Sequence, residues 1–153
     1  MKVSIVVPTY NERDNIPRLV HELHEVLGTL DFDVIIVDDD SPDETWRVAE
    51  GLKQKYPCVQ VIRRLNEHDL STAVMEGFRH STGDILGVMD ADLQHPPAKM
   101  KDMIQKIQEG NDIVVGSRYT PGGEIEEWGL IRRLYSRIAT LLTHILVPNT
   151  RVS

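Results

Sequence analysis

Apolar residues along the first 115 positions fall into two rhythms that alternate with one another. Short runs that are apolar almost throughout occupy 3–7, 32–37, 59–62, 85–89 and 113–115. Between them lie longer stretches in which apolar side chains recur every three or four residues, clearest in Ile16, Leu19, Val20, Leu23, Leu27 and Leu30. The first rhythm predicts strands and the second predicts amphipathic helices over 15–30, 41–55, 70–79 and 98–108. Pro8 is expected to end the first strand. Ser41-Pro42-Asp43-Glu44 reads as a capping box opening the second helix, with Ser as N-cap, Pro at the first helical position and Glu at the third.

Strands that are apolar almost throughout suit a sheet covered on both faces, and the intervening helices suit right-handed crossovers between parallel neighbours. The expected fold class is therefore α/β, a Rossmann-like, doubly wound, mostly parallel sheet with helices on both faces, formed by one domain over 1–153. After Gly116 the pattern changes to a loop rich in Gly and Pro, SRYTPGGEIEEWG, and then to a last amphipathic helix carrying Leu130, Leu134, Ile138, Leu141, Leu142 and Ile145. The chain stops at 149-NTRVS-153 without a closing element and reads as a fragment of a longer one.

Composition narrows the function classes. The 153 residues are 41% hydrophobic and 27% charged, enough for one globular core. Seventeen basic against 24 acidic residues give a net charge of -7, so no domain-wide positive field exists to hold a nucleic-acid backbone. Cys58 stands alone, which removes an internal disulfide and any cysteine-based zinc site. No apolar run approaches the roughly 20 residues that span a bilayer, and MKVSIVVPTY is too short and turn-broken for a signal peptide. These features fit a cytoplasmic chain.

In an open parallel sheet, chemistry gathers where the strands end. The first exit, 8-PTYNE-12, lacks the G-x-G-x-x-G of a dinucleotide fold. The second is Asp38-Asp39-Asp40 and the fourth is Asp90-Ala91-Asp92, so five carboxylates are expected at one edge, where only a cation or hydrogen-bonding ligand relieves their repulsion. With an extended backbone, Asp90, Asp92 and Gln94 leave on one side. Their oxygens are hard ligands suited to Mg²⁺ or Mn²⁺. A D-x-D triplet alone is a weak signal, and Asp38 to Asp40 also fit a turn or cap. Arg118 at the fifth exit, with Arg132 and Arg133 beyond it, adds guanidinium groups suited to a diphosphate. His21 and His24 in HELHE do not form the i, i+4 pair of a metal helix, Trp46 and Trp128 read as core or rim, and His95 suits either a metal's surroundings or a helix cap. The Leu/Ile stripe after Arg133 fits core, or an interfacial helix against lipid.

Taken together, VSIVVPTYNERDNI, IIVDDDSPDET, LSTAVMEGF, GDILGVMDADLQHPP and DIVVGSRYTPGG, in this order and spacing, resemble the family 2 inverting glycosyltransferases of GT-A fold. Within that family they are most similar to the mannosyltransferases acting on dolichyl or polyprenyl phosphate. The resemblance implies that Pro8, Tyr10, Glu12, Val37 and Asp39 line the nucleotide pocket and that Ala91 lies against the nucleotide. It implies that Asp90, Asp92 and Gln94 hold Mg²⁺ or Mn²⁺ on the donor diphosphate, and that Arg118 and Arg132 contact phosphates. Asp92, Arg118 and Arg132 are then the residues nearest the chemistry. The implied donor is GDP-mannose and the implied acceptor a dolichyl or polyprenyl phosphate, with inversion at the sugar, at the cytoplasmic surface of a membrane. Where the family usually has Lys-Gly before the L-S-x-A-V block, this chain has His68-Asp69, which removes a positive contact and a glycine turn. The family's D-P-x-S-G-F-F-like acceptor stretch would begin about where this sequence ends.

Rival readings remain. UDP-glucose and UDP-N-acetylglucosamine are alternative donors, since Tyr10 and Glu12 do not separate guanine from uracil. A response-regulator receiver domain shares an IIVDDD-like strand end, but a whole strand-helix unit precedes it here and Arg118 replaces the expected lysine. A sugar-nucleotide pyrophosphorylase wants a Gly-rich loop where this chain has PTYNERDN.

Overall fold

The computed structural model describes residues 1–66 and 68–117. The chain falls into two compact units, Met1–Val115 and Gly116–Ser153, and the description covers the first together with Gly116 and Ser117. The first unit alternates strand and helix: β1 (Lys2–Thr9), α1 (Ile16–Leu27), β2 (Asp31–Asp38), α2 (Thr45–Leu52), β3 (Val59–Arg63), α3 (Leu70–His80), β4 (Ile85–Val88) and α4 (Ala98–Gln108). The four strands form a parallel sheet in the order β3-β2-β1-β4. The α/β class and the parallel sheet agree with the sequence reading.

Because successive side chains of a strand face opposite ways, β1 and β2 feed two cores. Ile5 and Val7 of β1 and Val34 and Ile36 of β2 pack with Leu19, Leu23 and Leu27 of α1, Ala49 of α2, and Met100 and Ile104 of α4. Val6, Ile35 and Val37 pack on the other face with Ala73 of α3. At Gly77, α3 comes so close to β1 that an added Cβ would overlap a Val6 methyl.

Four local expectations change. Pro8 does not end β1, which continues to Thr9. Val6 turns its carbonyl toward β4 and accepts the Met89 N–H at 3.0 Å. Residue 8 faces the same side, past the last β1–β4 pair, Val6 and Val88, so its missing N–H breaks no ladder bond. Gly28 ends α1 earlier than expected, and Leu30 turns back to the Leu27 carbonyl at 2.7 Å.

The second helix starts at Thr45 rather than inside the Ser41 capping box. Buried Asp38 claims Ser41 instead, accepting its N–H at 2.9 Å and its hydroxyl at 2.7 Å. Glu44, the would-be N3 residue, adopts a left-handed conformation at φ 63° and pairs with Arg47. Finally, 113–115 is not a strand. Ile113 and Val115 are 81% and 78% exposed; a three-residue run offers few ladder bonds, well below the usual strand length of about 5–6 residues, and here no burial supplements them. The predicted last helix lies outside the described residues.

Candidate nucleotide and metal site

The strand order reverses between β1 and β4, and a doubly wound sheet binds ligands beside such a reversal, at the carboxyl ends of its strands. The loop leaving β1 is fixed there by its neighbour after β2. The backbone N–H groups of Asn11, Glu12 and Arg13 donate in turn to Ser41 Oγ at 3.0 Å, Thr45 Oγ1 at 2.9 Å and Asp43 Oδ2 at 3.1 Å. Ser41 and Asp43 of the predicted capping box, with Thr45 beside them, thus staple one loop to another across some thirty residues of sequence, a pairing that carries no local signal. Burial pushes the Asp43 carboxyl up, but hydrogen bonds from the Thr45 hydroxyl and the Arg13 and Thr45 N–H groups outweigh it and hold the group below its usual range.

The aspartate run at the end of β2 is taken up by protein donors. Asp38 is fully buried and also accepts the Thr9 hydroxyl at 2.9 Å. Asp39 is buried and receives Arg64 through two bonds, Nε to Oδ1 at 2.7 Å and Nη2 to Oδ2 at 2.8 Å. Asp40 turns outward at φ 52° and takes the Arg63 Nε at 2.7 Å. Among the described residues no group of three His, Cys, Asp or Glu side chains gathers closely enough to hold a metal. The expected five-carboxylate cluster is therefore divided, because each member after β2 has its own donor.

The exit of β4 is different. Asp90, Asp92 and Gln94 are exposed, whereas Ala91 is buried in the larger core and Leu93 packs against it. The alternation expected of this stretch survives in its burial but not in its backbone. Leu93 is left-handed at φ 58°, and Asp92 Oδ1 accepts the Gln94 N–H at 3.0 Å, which makes a tight turn instead of an extended strand. Asp92 keeps its second oxygen for another partner, and Asp90 has no hydrogen bond or ion pair among the described residues. Carboxylate and amide oxygens are the hard donors that Mg²⁺ or Mn²⁺ takes.

Where β1 ends, a pocket of about 240 Å³ is lined by Pro8, Thr9, Tyr10, His68 and Leu70. Tyr10 is 53% exposed, and the His68 ring meets it edge-on, with 5.5 Å between centroids and 74° between planes. Glu12 accepts from the Asn15 side-chain amide at 2.7 Å, tying it to the start of α1. Val37 is fully buried in the core that packs against Ala73 of α3 and is not among the residues lining this pocket. A second cavity, of about 460 Å³, lies next to Trp46, on which Arg63 and Arg47 stack at 4.0 and 5.1 Å from the ring centre. Trp46 thus serves at a rim, as its sequence setting suggests. Arg118 and Arg132 lie outside the described residues.

Residues 4–151 match the model of the family described as Glycosyl transferase family 2. Over 151 residues the chain is 48% identical to the Dolichol-phosphate mannosyltransferase of Pyrococcus furiosus, covering 99% of this chain and 43% of that protein. Over 150 residues it is 33% identical to the Polyprenol monophosphomannose synthase of Mycolicibacterium smegmatis, covering 95% and 56% respectively. The chain thus spans about half the length of these curated relatives. Among solved structures, mannosyl-3-phosphoglycerate synthase from Rubrobacter xylanophilus superposes with a TM-score of 0.61 at 22% identity, over 72% of this chain and 37% of that one, a likeness of fold.

Proposed function

The chain belongs to glycosyl transferase family 2, and from that premise we propose that it binds GDP-mannose and, within the whole protein, transfers mannose to a dolichyl or polyprenyl phosphate with inversion. The observation that carries the reading is the pairing of neighbours at the sheet's reversal: an aromatic pocket where β1 ends and an exposed two-carboxylate turn where β4 ends. The names of the relatives in Pyrococcus furiosus and Mycolicibacterium smegmatis supply the sugar and the acceptor class.

Tyr10, which lines the pocket with Pro8, offers a face on which a nucleobase stacks. Asp90, Asp92 and Gln94 are the residues that would hold Mg²⁺ or Mn²⁺ on the donor diphosphate. Bound there, the cation neutralises charge that develops on the departing GDP. An oxygen of the acceptor phosphate attacks the anomeric carbon from the face opposite GDP. The new C–O bond forms as the old one breaks, and GDP leaves with the electron pair. The acceptor phosphate is already anionic near neutral pH, so no side chain has to take a proton. In this reading Arg118 and Arg132 orient the phosphates, and the acceptor's chain length brings the site to a membrane surface on its cytoplasmic side. Among the described residues no helix is long and apolar enough to cross a membrane.

Titration calorimetry with GDP-mannose tests the reading. Mn²⁺ is expected to tighten binding to the parent chain, and Asp92→Ala and Gln94→Ala to lose most of that gain. Equal donor and metal affinity in both variants and the parent sinks the metal assignment.

A further inference from the structure

The turn between β3 and α3 is where this chain departs from its family's usual Lys-Gly, and the fold fixes it closely. Asp69 is held at three points: its N–H donates to Asp39 Oδ2 at 3.1 Å, its carbonyl accepts Arg64 Nη2 at 2.9 Å, and its carboxylate caps α3 by accepting the Thr72 N–H at 2.8 Å. Arg64 itself is anchored by its bonds to Asp39 and by Nη1 donating to the Thr72 hydroxyl at 2.8 Å. The backbone at Asp69 is extended, φ -147° and ψ 122°. Residues on either side of an extended position point the same way. His68 and Leu70 accordingly both line the pocket that Pro8, Thr9 and Tyr10 close from β1.

The imidazole and the Tyr10 ring stand at 74°. Two rings at that angle make a corner in which a planar group laid flat on one turns its edge to the other. Neither imidazole nitrogen has a protein hydrogen-bond partner among the described residues, so both are open to the edge of such a group. From this geometry we infer that His68 is a specificity-determining residue for the nucleobase of the donor, reading the edge of a base stacked on Tyr10. The inference rests on the nucleotide-sugar reading above and extends it to a residue outside the family pattern.

Calorimetry with GDP, UDP and inorganic diphosphate, each with Mn²⁺, on the parent, His68→Ala and His68→Phe separates the outcomes. Removing the ring is expected to weaken GDP binding about tenfold, the scale of one base–aromatic contact, to leave diphosphate binding unchanged, and to shrink the preference between GDP and UDP. His68→Phe keeps a ring against Tyr10 but no hydrogen-bonding nitrogen, and is expected to recover affinity without the preference. Parent-like affinity and preference in both variants overturns the inference. So does an equal loss for diphosphate, which would mean that position 68 acts only through the Asp69 anchor. A parent chain that binds neither GDP nor UDP instead fells the donor reading, and this inference with it.

Discussion

Asp39 and Arg64 bury opposite charges with only 9% and 6% of their side chains exposed. Such a pair contributes little net stability relative to well-fitted apolar residues, but losing one partner strands the other charge in a poor solvent. Arg64→Met is therefore expected to cost about 3 kcal/mol in urea unfolding, and joining it to Asp39→Leu to recover a good part of that loss. Unchanged stability in the single variant would mean that the pair is open to water. The partnership involves Asp39, which the family resemblance implies for the nucleotide pocket. Its oxygens accept from Arg64 and from the Asp69 N–H, which ties the end of β2 to the turn before α3. Nothing local in IIVDDD announces a partner 25 residues away, which is why a close reading of the aspartates distinguishes their position but not their roles.

At the level of elements, the sequence specifies most of the scaffold because periodicity is a local property. The helix 98–108 is recovered residue for residue, and β2, β3, α3 and β4 within one residue at each end. What escapes is tertiary in origin: Ser41 drawn to Asp38, Thr45 and Asp43 serving a loop from β1, and a three-residue run left unpaired. Gly77 looks like a weak point in α3 until its neighbour is seen. Gly77→Ala is expected to destabilise the fold by about 1–3 kcal/mol through overlap with Val6, although alanine is the better helix former. A rise in melting temperature would refute that contact. Two helix starts also carry an acid response. Hydrogen bonds from the Thr72 N–H and hydroxyl hold the Asp69 carboxyl below its usual range, as Asp43 is held despite its burial. A depressed carboxyl contributes stability above its unfolded pKa of about 3.9 and loses it as pH falls through the lower folded value. Urea midpoints are therefore expected to decline below about pH 4, and Asp69→Asn to flatten that limb while keeping the cap. An identical acid limb in the variant would remove Asp69 from the account.

At the scale of the molecule, burial among the described residues is graded outward from the middle of the sheet. β1 and β2 are buried over nearly their full lengths, whereas Leu86 and Val88 of β4 are 48% and 43% exposed. Amide exchange is accordingly expected to be slowest in β1 and β2 and fast at 113–115, with the turn 90–95 slowing when GDP and Mn²⁺ are present. Uniform protection across all four strands would contradict this gradient. Pro8 gives the gradient a sharp end on one side. A β4 that ran on past Met89 would need a donor from residue 8 to continue its ladder, and an imino acid has none. Proline therefore decides how far the two strands stay zipped and where they part. Replacing it with alanine would offer β4 another rung, and the carboxylates of the next turn would be drawn into the sheet. The cleft, on this view, is defined by a hydrogen bond that the chain is chemically unable to make.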